Sequence, residues 1–205
     1  MNYSIYAEST PNPKVMKFVS NRMLADQSIQ FITSEDAERI PMISKIYNLP
    51  FVESIFLSKN FISIAKTDNI EWGEITLELR NFITTILNED EIQNYTEHIE
   101  VENKAQIEDN IKDTKASNNI NKGSEPKTDL ERNIVGLLNE YIRPAVEADG
   151  GAIEFDSFDE GTVKVVLKGA CSGCPSSTAT LKQGIESLLI QKLGEEIKEV
   201  VAING

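Results

Sequence analysis

Residues 91–127 constrain this 205-residue chain more than any other stretch. They hold six Asn and no Leu, Phe or Trp, and they run out through Lys122-Gly123-Ser124-Glu125-Pro126. Such a segment buries too little apolar area to offset its chain entropy. One continuous core through the whole chain is therefore excluded. The reading is two small α/β domains, residues 1–90 and 128–205, joined by a flexible polar linker over 91–127. A short helix around Ile92, Tyr95 and Ile99 would extend the first domain into that linker.

The formal charge is −13, from 33 acids and 20 bases. It divides as −2, −5 and −6 over residues 1–87, 88–127 and 128–205. Phosphate binding needs a local excess of Lys and Arg, so no nucleic-acid partner is expected. No stretch approaches the roughly 18 consecutive apolar residues that a spanning helix needs, so no membrane partner is expected either. The start, MNYSIYAEST, has no basic or apolar leader character and no Arg-rich transit character. A cytoplasmic location is the expectation.

In the first domain, residues 3–8, 15–20 and 27–33 read as strands, with Thr10-Pro11-Asn12-Pro13 as a turn between the first two. Ser34-Glu35-Asp36 starts a helix running towards Leu49-Pro50. Residues 52–57 and 61–66 form a hairpin about Ser58-Lys59-Asn60. Asp68, with Glu71 three positions on, caps a helix whose stripe is Ile75, Leu79, Phe82 and Ile86. Trp72 and Phe82 read as core. No catalytic constellation emerges, the single histidine, His98, lies in the linker, and the chain is not expected to be an enzyme.

In the second domain, Thr128-Asp129-Leu130-Glu131 is a capping box. Leu130, Ile134, Leu137 and Tyr141 follow at helical spacing, and Pro144 kinks or ends that helix. Asp149-Gly150-Gly151 form a turn. Ile153 and Phe155, then Val163, Val165 and Leu167, alternate as two strands. After Gly169-Ala170-Cys171-Ser172-Gly173-Cys174-Pro175 comes a long helix with Leu181, Ile185, Leu188 and Leu193 inward, then a last strand over 197–203. The fold class is α+β. The second domain has the order α-β-β-α-β, with the C-x-x-C loop between strand and helix.

Cys171 and Cys174 are the two cysteines of the sequence. In a reducing compartment such a pair points to metal or redox chemistry rather than to a structural bridge. Pro175 suits a first helical position, which sets the loop beside a helix N-terminus and favours thiolate. Three readings follow. One is a dithiol–disulfide redox site. The second is zinc or an iron–sulfur cluster, either of which takes four protein ligands. Two thiols are half such a site, so this reading requires a second copy facing the first, a homodimer. The third is an inert pair in an exposed turn, an oxidation liability without a purpose. Spacing alone leaves the first two level.

Arg143-Pro144, Asp149-Gly150-Gly151, the strand over 163–167 and the run GACSGCPSSTATLKQGIESLL together resemble the C-terminal domain of NifU, the Nfu domain. Ser9-Thr10-Pro11-Asn12-Pro13 followed by Met16-Lys17-Phe18 is similar to the N-terminal domain of Nfu proteins. The resemblance implies an iron–sulfur cluster scaffold and carrier. Cys171 and Cys174 would be the iron ligands of a 4Fe–4S cluster shared between two subunits, with a 2Fe–2S form also allowed. The implied partners are upstream cluster assembly machinery and apo iron–sulfur proteins as clients. The Cys-rich assembly domain and the ferredoxin-like domain of full-length NifU have no counterpart here. That implies receiving and delivering clusters rather than building them.

Overall fold

The computed structural model describes residues 2–89, 126–172 and 175–204. Most of the expected linker and its short helix lie outside the described residues.

The first unit is built on β1 (Ile5–Ser9), β2 (Val15–Ser20), β3 (Ile29–Phe31), α1 (Ser34–Glu38), α2 (Pro41–Tyr47), β4 (Val52–Ser58), β5 (Phe61–Lys66) and α3 (Trp72–Glu89). Its five strands form an antiparallel sheet in the order β1-β2-β5-β4-β3. The second unit comprises α4 (Asp129–Leu137), a π-helical turn (Leu138–Ile142), α5 (Arg143–Ala148), β6 (Gly151–Asp159), β7 (Thr162–Gly169), α6 (Pro175–Leu193), a 3₁₀ turn (Gly194–Glu196) and β8 (Glu199–Asn204). β6 and β7 pair antiparallel, and β7 and β8 pair parallel. A parallel pair needs a long crossover, and α6 supplies it. The architecture is mixed α and β with two sheets.

Local chemistry explains where elements begin. The Thr128 hydroxyl accepts from the Glu131 N–H while the Glu131 carboxylate accepts from the Thr128 N–H, so the expected capping box is formed. Pro144 has no N–H to donate, and the chain absorbs the missing bond in the π-helical turn before α5 rather than ending the helix. The single helix expected after Ser34 is two. Thr33, not Ser34, caps α1, and Pro41 opens a separate α2. Asp68 does not cap α3. It pairs with Lys14, and the Glu74 carboxylate accepts from the Glu71 N–H at the helix start. Phe82 is 37% exposed, and Ile83 takes the core position expected of it. Trp72 is partly buried against the first core.

Each sheet has a helix-covered face and a second face. In the first unit Phe18, Ile55, Leu57, Ile62 and Ile64 point to the core shared with α2 and α3. Strand alternation turns Lys17, Val19, Phe56, Phe61 and Ser63 the other way. In the second unit Ile153, Phe155, Val163, Val165 and Leu167 join Ile134, Ile185, Leu189 and Val200 in the core. Ala152 and Lys168, paired across β6 and β7, turn away from it.

The two outward faces meet. Phe56, Phe61 and Ala152 form a separate buried cluster with Val19 against it. Burying a phenylalanine is worth about 1.5–3 kcal/mol. A neutral hydrogen bond nets only about 0.5–1.5 kcal/mol. Two phenylalanines and the several polar contacts around them are thus comparable in worth, and together they hold the units in register.

Candidate functional site

Cys171 lies within the turn that follows β7, two residues beyond Gly169. The turn closes through the Ser172 N–H donating to the Gly169 carbonyl (3.1 Å) and the Ala170 N–H to the Gly150 carbonyl (3.2 Å). Thr178, in the first turns of α6, donates its hydroxyl to the Cys171 carbonyl at 3.3 Å. Pro175 is the first residue of α6, as its missing N–H suggests. Cys174 lies outside the described residues.

Two glycines make this geometry. A Cβ on Gly151 would fall 2.8 Å from the Cys171 sulfur and 2.7 Å from the Lys168 carbonyl oxygen. Gly169 has φ +64°, and a Cβ there would stand 2.7 Å from the Phe56 ring. Asp149 and Gly150 form the turn, with Gly150 at φ +82°, while Gly151 opens β6 and leaves room for the sulfur.

The structure corrects the expected setting of Cys171 in two respects. An exposed turn is expected there, yet Cys171 is buried, only 7% exposed, and packs with the core of the second unit. The helix end was expected to favour thiolate. Instead burial, and then the nearby Asp149 carboxylate, push the Cys171 thiol up to about 11. Desolvation disfavours the anion.

The first unit reaches this turn directly. Asn12, itself buried, donates its side-chain N–H groups to the carbonyls of Ala170 (3.2 Å) and Ser172 (3.4 Å), one on each side of Cys171. Nearby, Ser63 donates to the Gly150 carbonyl at 2.6 Å, and Lys17 to the Ala148 carbonyl at 3.0 Å. The Gln30 side-chain oxygen accepts from the Gly169 N–H at 3.1 Å, and Lys59 pairs with Glu147 at 2.6 Å. Sequence reasoning missed all five residues as site neighbours. One local signal existed: Ile55-Phe56-Leu57 is apolar without alternation, the mark of a strand buried on both faces.

Asn12 is well braced. Its own side-chain oxygen accepts from the Lys14 N–H at 3.1 Å. The Thr10 hydroxyl donates to the carbonyls of Asn12 and Val15, both at 2.9 Å. The Trp72 indole donates to the Pro13 carbonyl at 3.1 Å. The turn read from Thr10-Pro11-Asn12-Pro13 is therefore a rigid prong aimed at the cysteine turn.

Among the described residues no group of three or more His, Cys, Asp and Glu side chains converges as a metal site. No described helix is long and apolar enough to cross a membrane. Lys168, next to the motif, forms an ion pair with Glu154 at 2.8 Å, both largely buried.

Residues 5–90 match the family profile described as "Scaffold protein Nfu/NifU N terminal", and residues 134–201 match the "NifU-like domain". A NifU-like protein of Schizosaccharomyces pombe is 29% identical over 211 residues, 97% of this chain and 72% of that protein. NifU-like protein 4, mitochondrial, of Arabidopsis thaliana is 31% identical over 194 residues, 93% of this chain and 63% of that protein. The Homo sapiens protein named NFU1 iron-sulfur cluster scaffold homolog, mitochondrial, is 28% identical over 191 residues, 90% of this chain and 66% of that protein. The chain thus spans about two thirds of the length of these relatives. Two of the three carry "mitochondrial" in their names, which overturns the cytoplasmic expectation. That expectation rested on the absence of leader character in ten residues, and such an absence does not fix a compartment. The two profile matches take in both structured units, and the chain belongs to the Nfu/NifU family.

Proposed function

We propose that this protein is an iron–sulfur cluster scaffold and carrier, with the cluster as its cargo rather than a resident catalytic group. A relative named for an iron–sulfur cluster scaffold supports the general role. The observation that carries the specific reading is the cysteine count. The whole sequence offers two thiols, Cys171 and Cys174, three positions apart on a glycine-rich turn before α6. Iron–sulfur clusters are held by four protein ligands, so two chains each contribute their pair. The cluster in this reading is 4Fe–4S, bound between two subunits of a homodimer. The C-x-x-C loop joins the last strand of the β6–β7 hairpin to α6.

In the same reading, residues 1–90 and 128–205 are separate domains and 91–127 is a polar linker between them. Upstream assembly machinery loads the cluster, and apo iron–sulfur proteins receive it by ligand exchange. A subunit-bridging site suits this chemistry, because separation of the subunits exposes the cluster to incoming thiolates. No step makes or breaks a bond in an organic substrate, and the protein acts as a carrier rather than an enzyme.

The dithiol–disulfide alternative draws no support from the relatives. A buried thiol held up to about 11 is also a weak nucleophile at neutral pH.

Anaerobic reconstitution of the full chain with iron and sulfide tests the proposal. A brown chromophore should form, and Cys171→Ser or Cys174→Ser should each abolish it. A colourless product whose cysteine pair cycles as a disulfide would defeat the scaffold reading.

A further inference from the structure

Cys171 is held from outside its own unit. The side-chain amide of Asn12 donates to the carbonyls immediately before and after Cys171, at Ala170 and Ser172. These contacts do not stand alone. Ser63 fixes the Gly150 carbonyl, which also accepts from the Ala170 N–H, and Gln30 takes the Gly169 N–H. The cluster of Phe56, Phe61 and Ala152 backs the whole arrangement. The prong carrying Asn12 is tied down by Thr10, Lys14 and Trp72. A cluster shared with a second chain needs the Cys171 sulfur at the surface, and here it is buried.

We propose that Asn12 is a positioning residue for Cys171. The five-stranded unit latches onto the cysteine turn of its own chain, and Cys171 is presented to a second subunit or to an acceptor only when this latch opens. The proposal rests on the reading of Cys171 as a cluster ligand. It assigns the first unit a role towards its own chain, as the element that withholds the turn. The geometry also says how the latch can be weakened without breaking the prong. In Asn12→Asp a side-chain oxygen still accepts from the Lys14 N–H. The donor is replaced by an acceptor that faces two carbonyl oxygens.

The test is thiol reactivity in the full-length chain carrying Cys174→Ser, so that Cys171 is the single thiol. Adding Asn12→Asp should accelerate alkylation by iodoacetamide by about tenfold or more at fixed pH. Hydrogen exchange of the Gly169 amide should accelerate with it, while exchange of core amides in α6 stays unchanged. An unchanged or slower alkylation rate overturns the latch, and so does acceleration accompanied by equal loosening of α6. Should Asn12→Asp fail to fold, Ser63→Ala weakens the same interface elsewhere. It must then give a smaller acceleration of the same sign, and no acceleration overturns the proposal. Alkylation needs no cluster, so the two readings fail separately. A chromophore on reconstitution of the parent chain, with reactivity unchanged by Asn12→Asp in the Cys174→Ser chain, removes the latch alone. Accelerated reactivity with no chromophore in the parent chain removes the scaffold role.

Discussion

Gly151 and Cys171 share one small space: a Cβ on the glycine would lie 2.8 Å from the cysteine sulfur and 3.1 Å from its Cβ. The main chain of β6 approaches the turn this closely because position 151 carries no side chain. The opposing atoms are a buried sulfur and the Lys168 backbone carbonyl, neither of which is a flexible side-chain end.

Gly151→Ala should therefore move the cysteine turn. Overpacking of this kind costs about 1–3 kcal/mol. The predicted result is a lower denaturation midpoint together with impaired cluster loading. A midpoint and a chromophore yield both equal to those of the parent would show that the turn yields at no cost.

Gly169→Ala should be at least as damaging. The position combines a positive φ with contacts of 2.7 Å to both the Phe56 ring and the Gly150 carbonyl oxygen. Because the ring belongs to the first unit, the loss should appear in both units. Amide spectra should shift around Phe56 as well as around Cys171. Shifts confined to residues near 169 would contradict the docked arrangement.

The alkylation rate of Cys171, measured with Cys174→Ser in place, should have a displaced pH profile. Its thiol is held up to about 11 from the usual value of 9.0, first by burial and then by Asp149. The neutral form is favoured, so the thiolate fraction is still rising steeply at pH 10. The rate should keep climbing through pH 11, whereas an unburied thiol is half-titrated near pH 9 and levels off by about pH 10. A plateau by about pH 10 would mean that the sulfur is solvated.

Acid should loosen the start of α4 through Glu131. Hydrogen bonds from the Thr128 and Lys127 N–H groups, in that order, hold its carboxyl below the usual value of 4.5. A depressed pKa means that the folded state favours the carboxylate. The contribution is present above the unfolded value and is lost as pH falls through the folded one. Glu131→Gln should flatten that part of the acid limb in a pH series of denaturation midpoints. An unchanged limb would exclude the capping box as its source.

Much of the local structure was legible, for reasons tied to particular residues. The Thr128 and Glu131 capping box is a sequence-local device, and it formed as read. The alternations Ile153/Phe155 and Val163/Val165/Leu167 carry their own period, and these side chains all reach the core. Boundaries failed where two local signals competed: Ser34 against Thr33 for a cap, and Asp68 against its pairing with Lys14. Burial of Cys171 was not legible. It follows from Gly151 and from a core assembled across the sequence, while the loop composition alone suggested exposure. The bond from Asn12 to Ala170 spans 158 residues, and no periodicity encodes such a contact. The prong was visible as a turn, but not what it holds.

In the proposed site two chains hold one cluster through their cysteine pairs. Native mass spectrometry of the anaerobically reconstituted full chain tests this. The expected result is a species of two chains carrying about one 4Fe–4S cluster, absent from Cys171→Ser. A cluster carried by a single chain, or an unchanged dimer in Cys171→Ser with iron and sulfide still bound, would contradict it.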